Sequence, residues 1–105
     1  MTDSNKTNND DDIIDLEVFA QKGERPPKGK KYRFKVNATA YVVNKEVLTG
    51  KEILEISDNR PPEAFLLSQV LKGGSRTPVG LDEKVDLTTP GIEKFKVLPK
   101  KQNEG

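Results

Sequence analysis

The chain has 105 residues and a formal net charge of +1, and it contains no Cys, no His and no Trp. The lack of Cys excludes a disulfide framework, a thiolate zinc site and a catalytic thiol. The lack of His excludes a Ser-His-Asp triad and a histidine metal site. We therefore expect one small domain with polar tails that is not an enzyme and that needs no cofactor.

The first part of the chain differs in composition from the rest. Residues 1–12 are rich in Asn and Asp, which predicts a disordered acidic tail. Within residues 13–29, Ile13, Leu16 and Ala20 recur at helical spacing ahead of a linker that contains Pro and Gly. We expect this short apolar segment to form one loosely docked helical turn. A docking motif for a partner protein is the alternative interpretation.

Residues 30–99 carry the patterns of one folded domain. Apolar and basic residues alternate over residues 32–36, which predicts the first strand of a hairpin that spans residues 30–44. The segment Thr49-Gly50-Lys51-Glu52 fits a capping box and predicts the start of a short helix. Pro61-Pro62 prevents this helix from continuing, so we expect it to end shortly before them.

The second half of the domain predicts further strands. The apolar run 64–71 predicts a central strand, which the turn at Gly73-Gly74 ends. Residues 77–79 fit a short edge strand because their proline cannot donate a ladder hydrogen bond. Residues 81–87 fit either a helical turn or a structured loop, and alternation over residues 94–97 predicts the last strand. These elements predict a two-layer α+β domain, for which a β-grasp sheet around one helix is one option among several.

Six short motifs occur in an order and spacing that resemble a known family. They are Asp15–Phe19 (DLEVF), Arg25–Arg33 (RPPKGKKYR), Leu48–Leu54 (LTGKEIL), Val85–Leu87 (VDL), Pro90–Phe95 (PGIEKF) and Leu98-Pro99. Together they are similar to the bacterial multiubiquitin-domain family over about residues 15–105. The resemblance implies a mixed β-grasp sheet packed on one helix and a ubiquitin-like protein modifier. These 105 residues hold one copy of the domain and no internal repeat.

The resemblance also implies partners that act on such a modifier. They are an adenylating enzyme similar to ubiquitin-activating enzymes, a homologue of the conjugating enzymes, a metalloprotease of the JAB type, and the target proteins. The activating enzyme would consume ATP, and the modifier would be the substrate of this cascade. We expect a cytoplasmic location, because the chain has no apolar run long enough to cross a membrane and its first residues are polar and acidic.

In ubiquitin-like modifiers the reactive group is the carboxylate of the C-terminal glycine, which corresponds here to Gly105. The resemblance implies that this carboxylate is adenylated, transferred to a thiol as a thioester, and joined to a target through an isopeptide bond. Residues 100–105 are expected to form a flexible conjugation tail. The tail residues presented to the activating enzyme would be Pro99, Lys100, Lys101, Gln102, Asn103 and Glu104. The ending Glu104-Gly105 departs from the double glycine of ubiquitin.

Two other functions remain open from the sequence. The first is a β-grasp interaction module that is never conjugated and that binds a partner through an exposed sheet face at Leu67, Val70 and Leu71. The second and less favoured function is nucleic-acid binding, in which the bases of residues 22–35 contact phosphates and the aromatic residues among them stack on bases.

Two further motifs have an ordinary structural interpretation. The segment 71–74 (LKGG) imitates the end of ubiquitin, but a chain that ended there would lose the last predicted strand, so we interpret it as a turn. Asp82, Glu83 and Asp86 are interpreted as charges of a solvated loop, since no catalytic partner accompanies them.

Overall fold

The computed structural model of the chain describes residues 13–29 and 31–100. The sequence predictions for residues 1–12 and 101–105 therefore lie outside the described residues. The elements in chain order are β1 (Ile13–Asp15), α1 (Leu16–Lys22), β2 (Lys31–Val36), β3 (Thr39–Val43), β4 (Val47–Thr49), α2 (Gly50–Ile56), a 3-10 turn (Pro62–Ala64), β5 (Phe65–Leu71), β6 (Arg76–Val79), β7 (Lys84–Asp86) and β8 (Ile92–Pro99).

A six-stranded mixed sheet carries most of the structure. Strand β2 pairs with β3 in an antiparallel hairpin along one edge, and along its other edge it pairs in parallel with β1 and then with β8. Strand β8 continues antiparallel to β5, and β5 pairs with β6 at the far end of the sheet. Strands β4 and β7 form a separate two-stranded antiparallel sheet.

The core lies between the large sheet and α2. Phe34 on β2 and Phe95 on β8 meet edge to face with ring centroids 5.6 Å apart. Ile53 and Leu54 on α2 are fully buried in the same hydrophobic cluster. A mixed sheet that packs on one short helix, with its first and last long strands parallel, is the β-grasp arrangement. The predicted α+β fold class is therefore confirmed.

Helix α2 begins where the sequence predicts. The hydroxyl of Thr49 accepts a hydrogen bond from the backbone N–H of Glu52 at 3.1 Å, and the Glu52 carboxylate accepts one from the backbone N–H of Thr49 at 2.9 Å. This reciprocal pair is the capping box. The helix has seven residues, too few to be stable alone, so it depends on the sheet that it packs against.

The hairpin, the turn at Gly73-Gly74 and the edge strand are also present as predicted. Both glycines have a φ of 97°, a conformation that side chains disfavour, and they lie between β5 and β6. Residues 81–87 differ from the prediction, because they include strand β7, which pairs with β4. A three-residue strand is too short to show periodicity, and its partner lies far away in the sequence, so no local pattern indicates it.

The N-terminal segment is the main difference between the structure and the sequence expectation. Instead of one loosely docked turn, Ile13–Asp15 is a strand paired with β2, and Leu16–Lys22 is a helix capped by the Asp15 carboxylate. Leu16 and Ala20 are each only 1 % exposed. The physical reason is that β8 pairs with β2 only at Val36, which leaves the first half of that β2 edge for β1.

The predicted linker is held against this unit. The hydroxyl of Tyr32 donates to the carbonyl oxygen of Pro27 at 3.2 Å and accepts from the backbone N–H of Gly29 at 2.8 Å. Two ion pairs tie the start of α1 to β2, since Arg33 lies 3.5 Å from Asp15 and Lys35 lies 3.1 Å from Glu17. The N-terminal segment and the following strands therefore share one packed unit.

Candidate functional site

The end of β8 determines where the C-terminal tail leaves the domain. Strand β8 lies in the middle of the sheet, and its last residue, Pro99, is the register partner of Phe65 at the start of β5. The backbone N–H of Lys100 then donates to the carbonyl oxygen of Ala64 at 2.8 Å. The chain is therefore held by backbone hydrogen bonding up to Lys100, and the tail begins at a fixed point of the fold.

Two leucines form an exposed apolar surface next to this point. Leu98 on β8 and Leu66 on β5 are direct register partners, and they are 47 % and 54 % exposed. Successive residues of a strand face opposite sides of the sheet, so the inward-facing neighbours Val97 and Leu67 leave the two leucines on the outer face. Directly opposed residues of antiparallel strands have Cβ atoms about 5 Å apart, which makes one continuous patch.

A shallow cavity adjoins the same place. It has a volume of about 360 Å³, and its lining includes Phe65, Leu66, Pro78, Leu81 and Lys100. The lining is mostly apolar, with the Lys100 amine as a charged group at the exit of the chain. Such a cavity can receive an apolar side chain of a partner.

The predicted partner surface is wrong for two of its three residues. Leu67 is 4 % exposed and Val70 is 7 % exposed, so neither is accessible, and Leu71 is half-buried against the core. Leu67 lies in the core cluster together with its register partner Val97 on β8. The accessible residues are Leu66 and Leu98. The sequence contains a signal for Leu98, since it occupies an outward position after the inward-facing Phe95 and Val97.

The predicted tail is only partly covered by the structure. Pro99 and Lys100 lie at the end of β8 and adjoin the outer surface of Leu66 and Leu98. The remaining predicted positions, Lys101, Gln102, Asn103, Glu104 and the proposed reactive residue Gly105, lie outside the described residues.

Most of the acidic groups considered in the sequence have structural roles. The Glu83 carboxylate accepts a hydrogen bond from the backbone N–H of Gly80 at 3.0 Å. The hydroxyl of Thr88 donates to Asp86 at 2.6 Å, and its backbone N–H donates at 2.9 Å. These bonds hold the pKa of Asp86 below its ordinary value. Within residues 13–29 and 31–100, no group of three or more acidic, His or Cys side chains is placed to hold a metal ion.

The basic stretch does not form a stacking platform for nucleic acid. Tyr32 and Phe34 are 0 % and 1 % exposed, so neither ring can stack on a base. Arg33 and Lys35 face the opposite side and pair with acidic residues of the N-terminal segment. The aromatic part of the nucleic-acid interpretation is therefore wrong.

Comparison with known families decides the relationship. The profile of the multiubiquitin family matches residues 32–100, about two thirds of the 105 residues. The chain belongs to the multiubiquitin family. Its match begins in β2, so β1 and α1 of this multiubiquitin protein lie outside the matched region.

Two further comparisons, one with curated proteins and one with solved structures, found no match to this multiubiquitin chain. None of the helices in the described residues could span a lipid bilayer.

Proposed function

We propose that this multiubiquitin protein is a ubiquitin-like modifier whose C-terminal glycine, Gly105, becomes attached to target proteins. The observation that carries the proposal is the family match over residues 32–100, which includes the whole of β8 up to the tail. The position of the tail is a second support. It follows the central strand directly and starts beside the exposed pair Leu66 and Leu98, where an activating enzyme has an apolar surface to bind.

The proposed chemistry uses the tail only as a substrate. The Gly105 carboxylate attacks the α-phosphate of ATP and displaces pyrophosphate, which gives an acyl adenylate. A cysteine thiolate of the activating enzyme then displaces AMP and forms a thioester. After transfer to the conjugating enzyme, a target amine attacks the thioester, the thiolate leaves, and an isopeptide bond remains. A chain with no Cys and no His can serve in this role because its partners supply every thiol.

The remaining parts of the proposal concern partners and location. The activating enzyme resembles those of ubiquitin, a conjugating-enzyme homologue accepts the thioester, and a JAB-type metalloprotease hydrolyses the isopeptide bond. We place these reactions in the cytoplasm, where ATP for the first step is available. Each partner is expected to require Gly105, since each acts on the bond that its carboxyl group forms.

The test is direct observation of the activated species. The full chain is mixed with ATP and its cognate adenylating enzyme, and the products are measured by intact-mass spectrometry. We expect an enzyme adduct that a reducing thiol removes and that disappears when Gly105 is deleted. An adduct that forms equally well without Gly105 contradicts the assignment of the reactive carboxylate.

A matched control separates a damaged fold from a missing carboxylate. Deletion of Gly105 removes the last residue and leaves every described contact in place, so the unfolding temperature should match that of the full chain. If the full chain gives no adduct with ATP and the enzyme, the modifier function is contradicted.

A second candidate function has its own structural support. The exposed pair Leu66 and Leu98 suits a non-conjugated interaction module, because one partner could bind this outer face without any use of the tail. The two functions differ in their dependence on Gly105. A module that only binds keeps its partner after deletion of Gly105, whereas a modifier loses its covalent product.

A further inference from the structure

Strand β3 forms an open edge of the sheet. Among the strands of the described residues it pairs with β2 alone, in the register that joins Val36 to Thr39 and Tyr32 to Val43. Hydrogen-bonded and non-hydrogen-bonded pairs alternate in an antiparallel ladder, and the pair that closes a two-residue turn is hydrogen-bonded. Ala40 and Val42 therefore direct their backbone N–H and C=O groups away from β2, toward the open side.

This edge lacks the features by which proteins protect open edges. The strand at the other end of the sheet, β6, carries Arg76 and Pro78, and charge and proline both discourage pairing with another chain. The five residues of β3 are Thr39-Ala40-Tyr41-Val42-Val43, with no charge, no proline and a regular register. Of these two edge strands, β3 is therefore the one whose sequence permits pairing with another strand.

A groove runs beside the open edge. Its volume is about 560 Å³, and it lies between β3 with the following loop on one side and α2 on the other. Its apolar lining includes Val43, Leu48 and Ile56. Ile56 is 36 % exposed, and Val42 at the edge is 46 % exposed. A strand added to β3 would cover these apolar groups together with the free backbone groups.

The groove is lined by equal numbers of positive and negative side chains, and this favours an occupant that carries the same balanced set. Two cations, Lys31 and Lys45, and two anions, Glu52 and Glu55, line it, so their formal charges cancel. Lys45 and Glu52 are already paired at 2.7 Å. A strongly charged partner therefore gains little here. A two-fold axis instead presents the same four charges in the opposite order, which lets the cations of one copy face the anions of the other.

We propose that β3 and its groove bind a second copy of this chain through antiparallel pairing of the two β3 strands. An antiparallel edge pairs with itself across a two-fold axis, so one surface serves both copies. A single five-residue strand on each side makes a small interface, well below the roughly 1,600 Å² of a standard stable complex. We therefore expect a weak and reversible dimer that leaves the Leu66 and Leu98 surface free.

The experiment is sedimentation equilibrium of the full chain from about 10 μM to about 1 mM, a range suited to a weak interface. We expect the mass to rise from monomer toward dimer. Val42→Lys places a charge on the pairing edge and should lower the association constant at least about tenfold. Val47→Lys is the matched control, because Val47 is 39 % exposed and lies on β4, outside the groove lining, so its association should equal that of the wild type.

Several outcomes overturn the proposal. A monomer throughout the range does so, and so does a dimer that Val42→Lys and Val47→Lys weaken equally. Circular dichroism of each variant confirms that it is folded. Backbone amide NMR shifts that depend on concentration should be confined to β3 and the groove. If these shifts instead change only on deletion of residues 1–12, at any concentration, the acidic segment occupies the groove and a second copy does not.

Discussion

Asn37 binds both backbone polar groups of Val97, sixty residues away in the sequence. Its side-chain oxygen accepts from the Val97 N–H at 2.9 Å, and its side-chain nitrogen donates to the Val97 carbonyl at 3.4 Å. Its own backbone N–H donates to the carbonyl of Phe95 at 2.8 Å. The carboxamide thus continues the pairing between β2 and β8 past the point where β2 ends. It ties the β2–β3 turn to the strand that leads to the tail.

This relationship predicts the effect of substitutions at Asn37. Asn37→Ala removes both side-chain hydrogen bonds and retains a Cβ at a φ of 57°, where Asn is better tolerated than Ala. We expect a loss of about 1–3 kcal/mol in the free energy of unfolding. Asn37→Gly loses the same bonds but relieves the backbone, so it should cost less. Urea denaturation measures both, and an equal cost would contradict the role of the backbone conformation.

The close packing at the start of α2 predicts that alanine destabilises the fold much more at Gly50 than at Gly80. A Cβ on Gly50 would overlap the carbonyl oxygen of Gly80, whereas a Cβ on Gly80 would meet only Glu83, at 3.9 Å. Gly50→Ala is expected to destabilise the fold by about 2 kcal/mol or more, because backbone atoms must move. Gly80→Ala should change stability by less than about 0.5 kcal/mol. Thermal unfolding of the two variants checks this, and similar unfolding temperatures would refute the close approach.

The capping box predicts a specific dependence of stability on pH. The hydrogen bond from Lys45, and next the one from the Thr49 backbone, lower the pKa of Glu52. A carboxyl whose pKa is lower in the folded state contributes stability above its unfolded value of about 4.3, and this contribution is lost as pH falls through the folded pKa. Glu52→Gln should therefore cost more at pH 7 than at pH 3. The difference is expected to stay below about 1 kcal/mol, since both side chains are more than one-third exposed.

Substitution of the partner provides the control for this pH effect. Lys45→Gln removes the largest cause of the lowered pKa of Glu52, so that pKa should rise toward its ordinary value while the capping hydrogen bonds remain. NMR titration of the Glu52 carboxyl carbon in the wild type and in Lys45→Gln measures the change. An unchanged midpoint would show that Lys45 has no part in it.

The burial of helix α1 predicts that the segment needed for folding begins before residue 32, where the family match starts. Leu16 is 1 % exposed and Val18, on the same helix, is 44 % exposed. Leu16→Ala should lower the free energy of unfolding by about 2–5 kcal/mol, as expected for a filled core position, and Val18→Ala by less than about 0.5 kcal/mol. Urea denaturation compares them. Equal, small effects would mean that the N-terminal segment is dispensable for folding.

Substitution of the exposed pair Leu66 and Leu98 is expected to weaken binding of the activating enzyme without lowering the stability of the fold. Leu66→Lys and Leu98→Lys should leave the unfolding temperature within about 4 °C, the shift that corresponds to less than 1 kcal/mol in a domain of this size. Both should slow thioester formation with the activating enzyme at least about tenfold. Leu67→Lys, which introduces a charge at a buried neighbour, should instead unfold the domain. An unchanged rate in both surface variants would remove this face from enzyme recognition.

The parts of the fold that sequence analysis predicted are those with local causes. The capping box at Thr49 and Glu52 and the glycine turn before β6 each depend on residues a few positions apart. Strand β1 could not be predicted in this way, because its pairing depends on how far β8 follows β2. The same distinction between local and long-range causes applies to the predicted partner surface. The strand that bears Leu67 was predicted correctly, but the side that it faces depends on its pairing with β8.

The shared edge of β2 also determines how the molecule responds when its two ends are pulled apart. Strand β1 enters beside the start of β2, while β8 runs parallel to β2 and leaves about 30 Å further along, at roughly 3.3 Å per residue. Tension between Ile13 and Lys100 therefore acts along the strands. The ladder hydrogen bonds that join β2 to β1 and β2 to β8 are loaded in shear, and they must slip together. A force applied between these two residues therefore meets its main resistance before the core opens.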